Sequence, residues 1–229
     1  MIYVTGDTHG LQDFFKLHIF AGEHPELTKD DYVIIAGDFG GVWNNRTFAA
    51  DIKPYTELPF TVLFVDGNHE NFDLLETFPA EEWHGGKTRR IKPNVIHLMR
   101  GQIFEIEGNT IFTFGGATSI DKYMRREGVS WWSQELPTHE ELDEGIANLK
   151  RCGGKVDYII THSCSERALA YPAIRNFATS KMSCPESSML SYIEENAQFS
   201  HWYFGHFHID AKLGDKYTAL YQDVVKLGE

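Results

Sequence analysis

An α/β fold with a partly antiparallel sheet is what this sequence predicts, on three observations. Short apolar, β-rich runs recur along the chain, segments with helical spacing fall between them, and the later runs are joined by short connections. The β-rich runs lie at 2–5, 32–36, 60–65, 103–106, 110–114, 156–161 and 202–204, with shorter ones at 217–220 and 224–225. Several are unbroken apolar stretches, as expected of strands covered on both faces.

The helical segments follow in order. After Gly10, the residues Leu11, Phe14, Phe15, His18 and Ile19 recur at helical spacing. Thr138 and Glu141 form a capping box, in which the hydroxyl and the carboxylate each accept an orphan backbone N–H. Leu142, Ile146 and Leu149 then repeat at i, i+4, i+7, and Gly153-Gly154 ends that helix. Ser183 and Glu186 repeat the capping pattern ahead of Leu190 and Ile193. The run Lys87, Arg89, Arg90, Lys92 reads as a solvated basic turn. No repeat, low-complexity tract or Pro/Gly/Ser-rich linker divides the chain. With 229 residues, 42% of them hydrophobic, it has enough apolar surface for one well-filled core, so a single domain spanning 1–229 is expected.

Bulk properties exclude some function classes. No stretch approaches the roughly 20 apolar residues a membrane-spanning helix requires. Met1-Ile2-Tyr3-Val4 runs straight into a strand, without a basic segment or a long apolar one, which fits a cytoplasmic protein or a mature chain with its leader removed. Cys152, Cys164 and Cys184 form no CxxC pair, and an odd count argues against a disulfide framework. The formal charge is −12, from 33 acidic and 21 basic residues, which disfavours binding to duplex nucleic acid.

Five strand-like runs end in polar residues of one chemical kind. They lead into Gly6-Asp7-Thr8-His9-Gly10, Gly37-Asp38-Phe39-Gly40-Gly41, Asp66-Gly67-Asn68-His69-Glu70, Thr161-His162 and Gly205-His206-Phe207-His208. Ligands in α/β folds collect at the carboxyl ends of strands. In Asp7-x-His9 and His206-x-His208, a spacing of two lets both side chains reach one site from an extended loop. Each short motif alone is ordinary turn chemistry. Five in succession, each after an apolar run, form a constellation of two carboxylates, one amide oxygen and four imidazoles. That donor set suits divalent transition metals such as Mn, Fe, Ni or Zn, and the lack of thiolates argues against a structural zinc cluster. The set is too large for one tetrahedral ion and suits two ions about 3.5–4 Å apart, with the two oxygens of Asp38 as a natural bridge.

This order of motifs resembles the calcineurin-like metallophosphoesterase superfamily, from Ile2 to His208. The resemblance implies a sandwich of two mixed β-sheets flanked by helices, with the site at one end. It implies that Asp7, His9, Asp38 and His208 hold one metal and that Asp38, Asn68, His162 and His206 hold the other. His69 would stand beside the metals and aid the leaving group. The implied activity is hydrolysis of phosphomono- or phosphodiesters by attack of a metal-bridging hydroxide, on a small phosphate-ester or nucleotide substrate, with Mn the natural metal to supply in vitro. A nuclease acting on single strands or ends, or a catalytically silent scaffold of the same fold, are the alternatives. Serine/threonine protein phosphatases of the superfamily carry Asp-Arg-Gly after the second motif. Here Asp38 is followed by Phe39-Gly40-Gly41-Val42-Trp43-Asn44, which argues against protein phosphatase activity.

Other residues offer substrate contacts. Arg46 is placed to replace the missing phosphate-binding arginine, or to make a surface salt bridge. Residues 115–137 form a long segment with little regular structure, and loops of that length are often functional. It carries Arg125, Arg126, Trp131 and Trp132. These would grip phosphate and stack on a base, or pin a rim loop. From Gly115-Gly116-Ala117 to Trp131-Trp132 the segment also resembles a bacterial and phage subgroup of metallophosphoesterases. The remaining histidines, His18, His24, His84, His97, His139 and His201, read as structural or surface groups.

Overall fold

The computed structural model describes residues 1–175 and 185–229. Two mixed β-sheets pack face to face with helices outside them, so the expected sandwich is what forms. In chain order the first part comprises β1 (Ile2–Thr5), α1 (Phe15–Glu23), β2 (Tyr32–Ala36), α2 (Phe48–Glu57), β3 (Thr61–Val65) and α3 (Phe72–Leu75). Then come β4 (Ala80–Trp83), β5 (Gly86–Lys92), β6 (Val95–Leu98), β7 (Gln102–Ile106) and β8 (Asn109–Phe114). After a long loop follow α4 (His139–Arg151), β9 (Tyr158–Thr161), α5 (Glu166–Leu169), α6 (Pro172–Arg175) and α7 (Pro185–Asn196). The chain closes with β10 (His201–Phe204), β11 (Ala211–Leu213), β12 (Tyr217–Ala219) and β13 (Val224–Lys226).

The first sheet has the order β13-β1-β2-β3-β6-β5-β4, and the second β11-β12-β10-β9-β8-β7. The middle of each is parallel: β1, β2, β3 and β6 in one, and β8, β9, β10 and β12 in the other. Antiparallel strands close the edges. Alternation along each central strand feeds two layers. Ile2, Val4, Ile34, Leu63 and Val65 meet Ile111, Ile160 and Tyr203 between the sheets. Tyr3, Val33, Ile35, Val62 and Phe64 point outward onto Leu17, Phe20, Ile52 and Tyr55. On the far side Phe112, Ile159, Trp202 and Phe204 bury Leu142, Ile146 and Leu149 of α4 and Leu190 and Ile193 of α7. Burial on both faces explains the unbroken apolar runs.

The box at the start of α4 forms as its spacing predicts: Glu141 N–H donates to Thr138 Oγ1 at 3.2 Å, and Thr138 N–H to Glu141 Oε2 at 2.7 Å. Ser183 lies outside the described residues, while Glu186 is buried. Two readings need correction. The basic run at 87–92 is β5, a strand near the sheet edge. Its charges are held at the rim, Arg90 Nε donating to Glu81 Oε1 at 2.7 Å and Lys87 Nζ to Glu144 Oε1 at 2.6 Å, while Thr88 and Ile91 turn inward. Charged residues on outer strands discourage further pairing, and they hide the strand from a search for apolar runs. The face of α1 is also rotated: Leu11, Phe15 and Ile19 are exposed, while Lys16, Leu17 and Phe20 are buried. Cys152 is exposed, whereas Cys164 is buried. Among the described residues no helix is long and apolar enough to cross a membrane.

Candidate metal centre

The parallel strands of both sheets deliver their carboxyl ends to one end of the sandwich. Asp7 and His9 follow β1, Asp38 follows β2, and Asn68 and His69 follow β3. From the other sheet, His162 follows β9, and His206 and His208 follow β10. All eight meet. His9 Nε2 lies 3.2 Å and His162 Nε2 3.3 Å from the two oxygens of Asp38. Asn68 Oδ1 is 3.1 Å from His162 Nε2, and His208 Nε2 is 3.0 Å from Asp7 Oδ2. The His206 and His162 rings stand 4.9 Å apart. Three sets of donor atoms fall within 4.8 Å of one another: Asp7, His9 and His208; Asp7, Asp38 and His162; and His9, Asp38 and His69. Asp7, His9 and Asp38 each belong to two of them.

The backbone is shaped around these groups. His9, Asp38, His206 and His208 all have positive φ, at 43°, 47°, 68° and 51°. Such conformations cost of order 1–3 kcal/mol each and cluster where function demands them. Two motif glycines have a steric cause. A Cβ on Gly67 would lie 2.1 Å from Asp38 Oδ1, and one on Gly205 would lie 2.2 Å from Asp7 Oδ1. Without side chains, these positions let His69 N–H donate to Asp38 at 2.7 Å and His206 N–H to Asp7 at 3.0 Å.

The field of the side chains calls for positive charge. Burial alone would favour neutral forms. The Asp38 and Asp7 carboxylates overcome it, raising His162 to about 10, while Asp38, aided by Asp7 and Asp13, raises His9 to about 9. Burial opposes ionisation of Asp38 too, but His162 and His9 hold it well below the carboxylate range. His206 goes the other way, pushed to about 3 by its enclosure and the neighbouring His162, which leaves it a neutral donor. Asp7 Oδ2 is buried and faces His208 Nε2 at 3.0 Å. Buried carboxylate oxygens facing several converging imidazole nitrogens, with no thiolate among them, fit divalent cations well.

A surrounding layer, which motif reading missed, fixes the ring orientations. His162 Nδ1 faces the Ala36 carbonyl at 2.9 Å and His9 Nδ1 faces Asp13 Oδ2 at 2.8 Å, so each ring turns Nε2 to the centre. Tyr221 donates to Asp13 Oδ1 at 2.9 Å and stacks on His208 with centroids 4.6 Å apart. The buried Lys16 ammonium donates to the carbonyls of Gly6, Asp7 and Tyr221, tying the first loop to the last. Glu70 accepts from the N–H groups of Phe39 and Gly40. Asp13 stands four residues from His9 and was visible in principle; Tyr221, distant in sequence, carried no such signal.

The loop bearing Asn68 and His69 is anchored by a buried ion pair. Arg100 donates to Asp66 Oδ2 from Nε at 2.8 Å and from Nη2 at 2.5 Å, and His97 Nε2 sits 3.0 Å from Asp66 Oδ1. Arg100 also donates to Glu141 and to the Gln134 carbonyl, reaching α4 and the long loop. Burial would raise the Asp66 carboxyl, but Arg100 and His97 hold it far below the ordinary range. Because this folded pKa is depressed, its stabilisation is complete above the unfolded carboxylate pKa and is lost only as strong acid protonates it. Arg100→Met should therefore lower unfolding free energy by about 3–5 kcal/mol at neutral pH, by stranding a buried charge. Denaturant titration checks this, and a loss under 1 kcal/mol would contradict it.

The remaining predicted contacts separate. Arg125 reaches the centre, its Nη1 and Nη2 lying 3.2 and 3.3 Å from the two ring nitrogens of His69 and its Nε 2.9 Å from Asp121. Burial, together with Arg125, lowers the His69 pKa despite Asp38. Arg46 and Arg126 are exposed, and neither these nor Trp131 line the clefts at the centre. Trp132 is buried and packs edge-on against Trp43 with centroids 5.5 Å apart, so the loop is pinned at that end.

Residues 1–210 match the family model described as calcineurin-like phosphoesterase. A lariat debranching enzyme of Schizosaccharomyces pombe is 25% identical over 177 residues, covering 69% of this chain. The match spans only 35% of that enzyme's length. Among solved structures, phosphopantetheinyl hydrolase from Mycobacterium tuberculosis aligns with a TM-score of 0.46 and 17% identity, over 96% of this chain and 89% of that one.

Proposed function

The chain belongs to the calcineurin-like phosphoesterase family, and on that premise we propose that it hydrolyses phosphate esters with two divalent metal ions held at the strand ends. The observation that carries this reading is the meeting of five strand ends around Asp7 and Asp38: the oxygens of Asp38 face His9 on one side and His162 on the other, and Asp7 faces His208 and the His206 N–H. Asp7, His9, Asp38 and His208 would hold one ion, and Asp38, Asn68, His162 and His206 the second. Nitrogen and oxygen donors without thiolate suit Mn, Fe, Zn or Ni. When bound, such ions lower the pKa of a water and neutralise charge on the phosphate. Their chemistry needs side chains to complete it. Arg125, now against His69, has in a phosphate a far stronger acceptor than an imidazole. Its move onto substrate would remove the guanidinium that helps hold the His69 pKa down, so that the ring takes up a proton from solvent and passes it to the departing ester oxygen.

The S. pombe relative favours a second reading, a branched nucleic acid as substrate. The formal charge of −12 weighs against a long polyanion. Assay of 4-nitrophenyl phosphate and bis(4-nitrophenyl) phosphate with Mn²⁺ tests the proposal. Nitrophenol release should require the ion, stop on chelation and return when Mn²⁺ is restored. Metal-loaded protein that hydrolyses neither ester would overturn it.

A further inference from the structure

Among the described residues two clefts open from the candidate metal centre. One, of about 420 Å³, is lined by Asn68, Thr118, Ile120, Asp121, Arg125 and Phe207 among others. The second is larger, about 870 Å³, and runs past Leu11, Asp13, Trp43, Asp51 and Tyr221. His69 and His208 line both, so the clefts meet at the centre. A monoester has one organic arm and fills one cleft. A diester has an arm on each side of phosphorus.

Charge points the same way. A phosphomonoester carries close to two negative charges at neutral pH, a diester one. Among the described residues lining either cleft Arg125 is the single guanidinium, and Asp121 already shares it. Among the described residues the larger cleft is lined by two carboxylates, Asp13 and Asp51, beside the rings of His9, His69 and His208, and by no Lys or Arg. An arm bearing further phosphate would meet repulsion there, whereas the indole of Trp43 and the ring of Tyr221 offer apolar and π surface.

We infer that the substrate is a phosphodiester whose second arm is uncharged or cationic, of aromatic or apolar character, and lies in the larger cleft between Trp43 and the Asp13–Asp51 wall. This deepens the phosphoesterase reading and rests on it. Asp51 becomes a specificity residue. It sits in the first turn of α2, where Thr47 Oγ1 donates to it at 2.5 Å, and it lies outside the metal cluster.

Three nitrophenyl esters separate the components with one leaving group. Methyl 4-nitrophenyl phosphate has the charge of a diester but no bulky arm; bis(4-nitrophenyl) phosphate has both; 4-nitrophenyl phosphate has neither. The bis-aryl ester should exceed the methyl ester in kcat/KM by about tenfold or more, the difference residing in KM, as expected when an apolar group enters a fitted site. The monoester should be the slowest. Asp51→Lys should raise kcat/KM for a diester with a 4-carboxyphenyl arm relative to the bis-aryl ester, by severalfold. Equal rates for bis-aryl and methyl esters, or a preferred monoester, would overturn the inference and leave the phosphoesterase reading standing. An unchanged arm preference in Asp51→Lys would remove the charge argument and overturn the assignment of the arm to this cleft. No hydrolysis of any ester by metal-loaded protein would remove the reading beneath it.

Discussion

Asp38→Asn should remove most of the activity and weaken both metal sites together. The substitution keeps the shape of the side chain and takes away its charge. Asp38 stands 3.2 Å from His9 and 3.3 Å from His162, each on a different oxygen. An amide presents one oxygen and one NH₂, so one side of the centre would meet a donor where it needs an acceptor. Loss of an outer partner of a metal ligand costs roughly 10–100-fold in affinity or activity. Loss of a shared ligand should exceed that, with both equilibria affected. Metal titration of the variant checks it. A variant that loses one ion and binds the other with undiminished affinity would show that Asp38 serves a single site. The hydrophobic core should be kept, because Asp38 adds no apolar surface to it, but the metal-free variant should lose stability as buried His162 loses its anionic partner.

His69→Ala should lose rate by roughly 10²–10⁴-fold on esters with a poor leaving group, and much less on nitrophenyl esters. His69 sits 4.0 Å from Asp38 Oδ2, beyond the 3.2 and 3.3 Å of His9 and His162, and both its ring nitrogens face Arg125. Alkoxide departs with a proton in the transition state, whereas nitrophenolate departs without one, so the loss should scale with leaving-group basicity. Metal content should be unchanged. Equal losses on alkyl and nitrophenyl esters would assign His69 to orienting phosphate or water. Loss of an ion would place it among the ligands with His9 and Asp38, a grouping the distances permit.

The strand-end constellation was legible because its logic is local. A parallel strand buried on both faces is an apolar run, and the loop after it must carry the polar groups. Asp7, Asp38, Asn68, His162 and His206 therefore declare themselves by position alone. What escaped depends on contacts between distant segments. α2 contains Pro54, a residue that ordinarily breaks helices, and so reads as a loop. β4 and β5 are outer strands dressed in Glu, Lys and Arg. Tyr221 and Lys16 acquire their roles only when the last loop folds onto the first. The segment 115–137 is mostly irregular, with two short 3₁₀ turns at Lys122–Met124 and Ser133–Glu135. Nothing local in it distinguishes Arg125, which reaches His69, from the exposed Arg126 beside it.

Metal stoichiometry tests the central claim most directly. Wild-type protein should be freed of metal by chelation, titrated with Mn²⁺, and its bound metal measured by elemental analysis. The two ligand sets proposed to share Asp38 predict saturation at two ions per chain, with phosphodiester hydrolysis rising as the second site fills. Saturation at one ion, or full hydrolysis with one ion bound, would contradict the two-metal account.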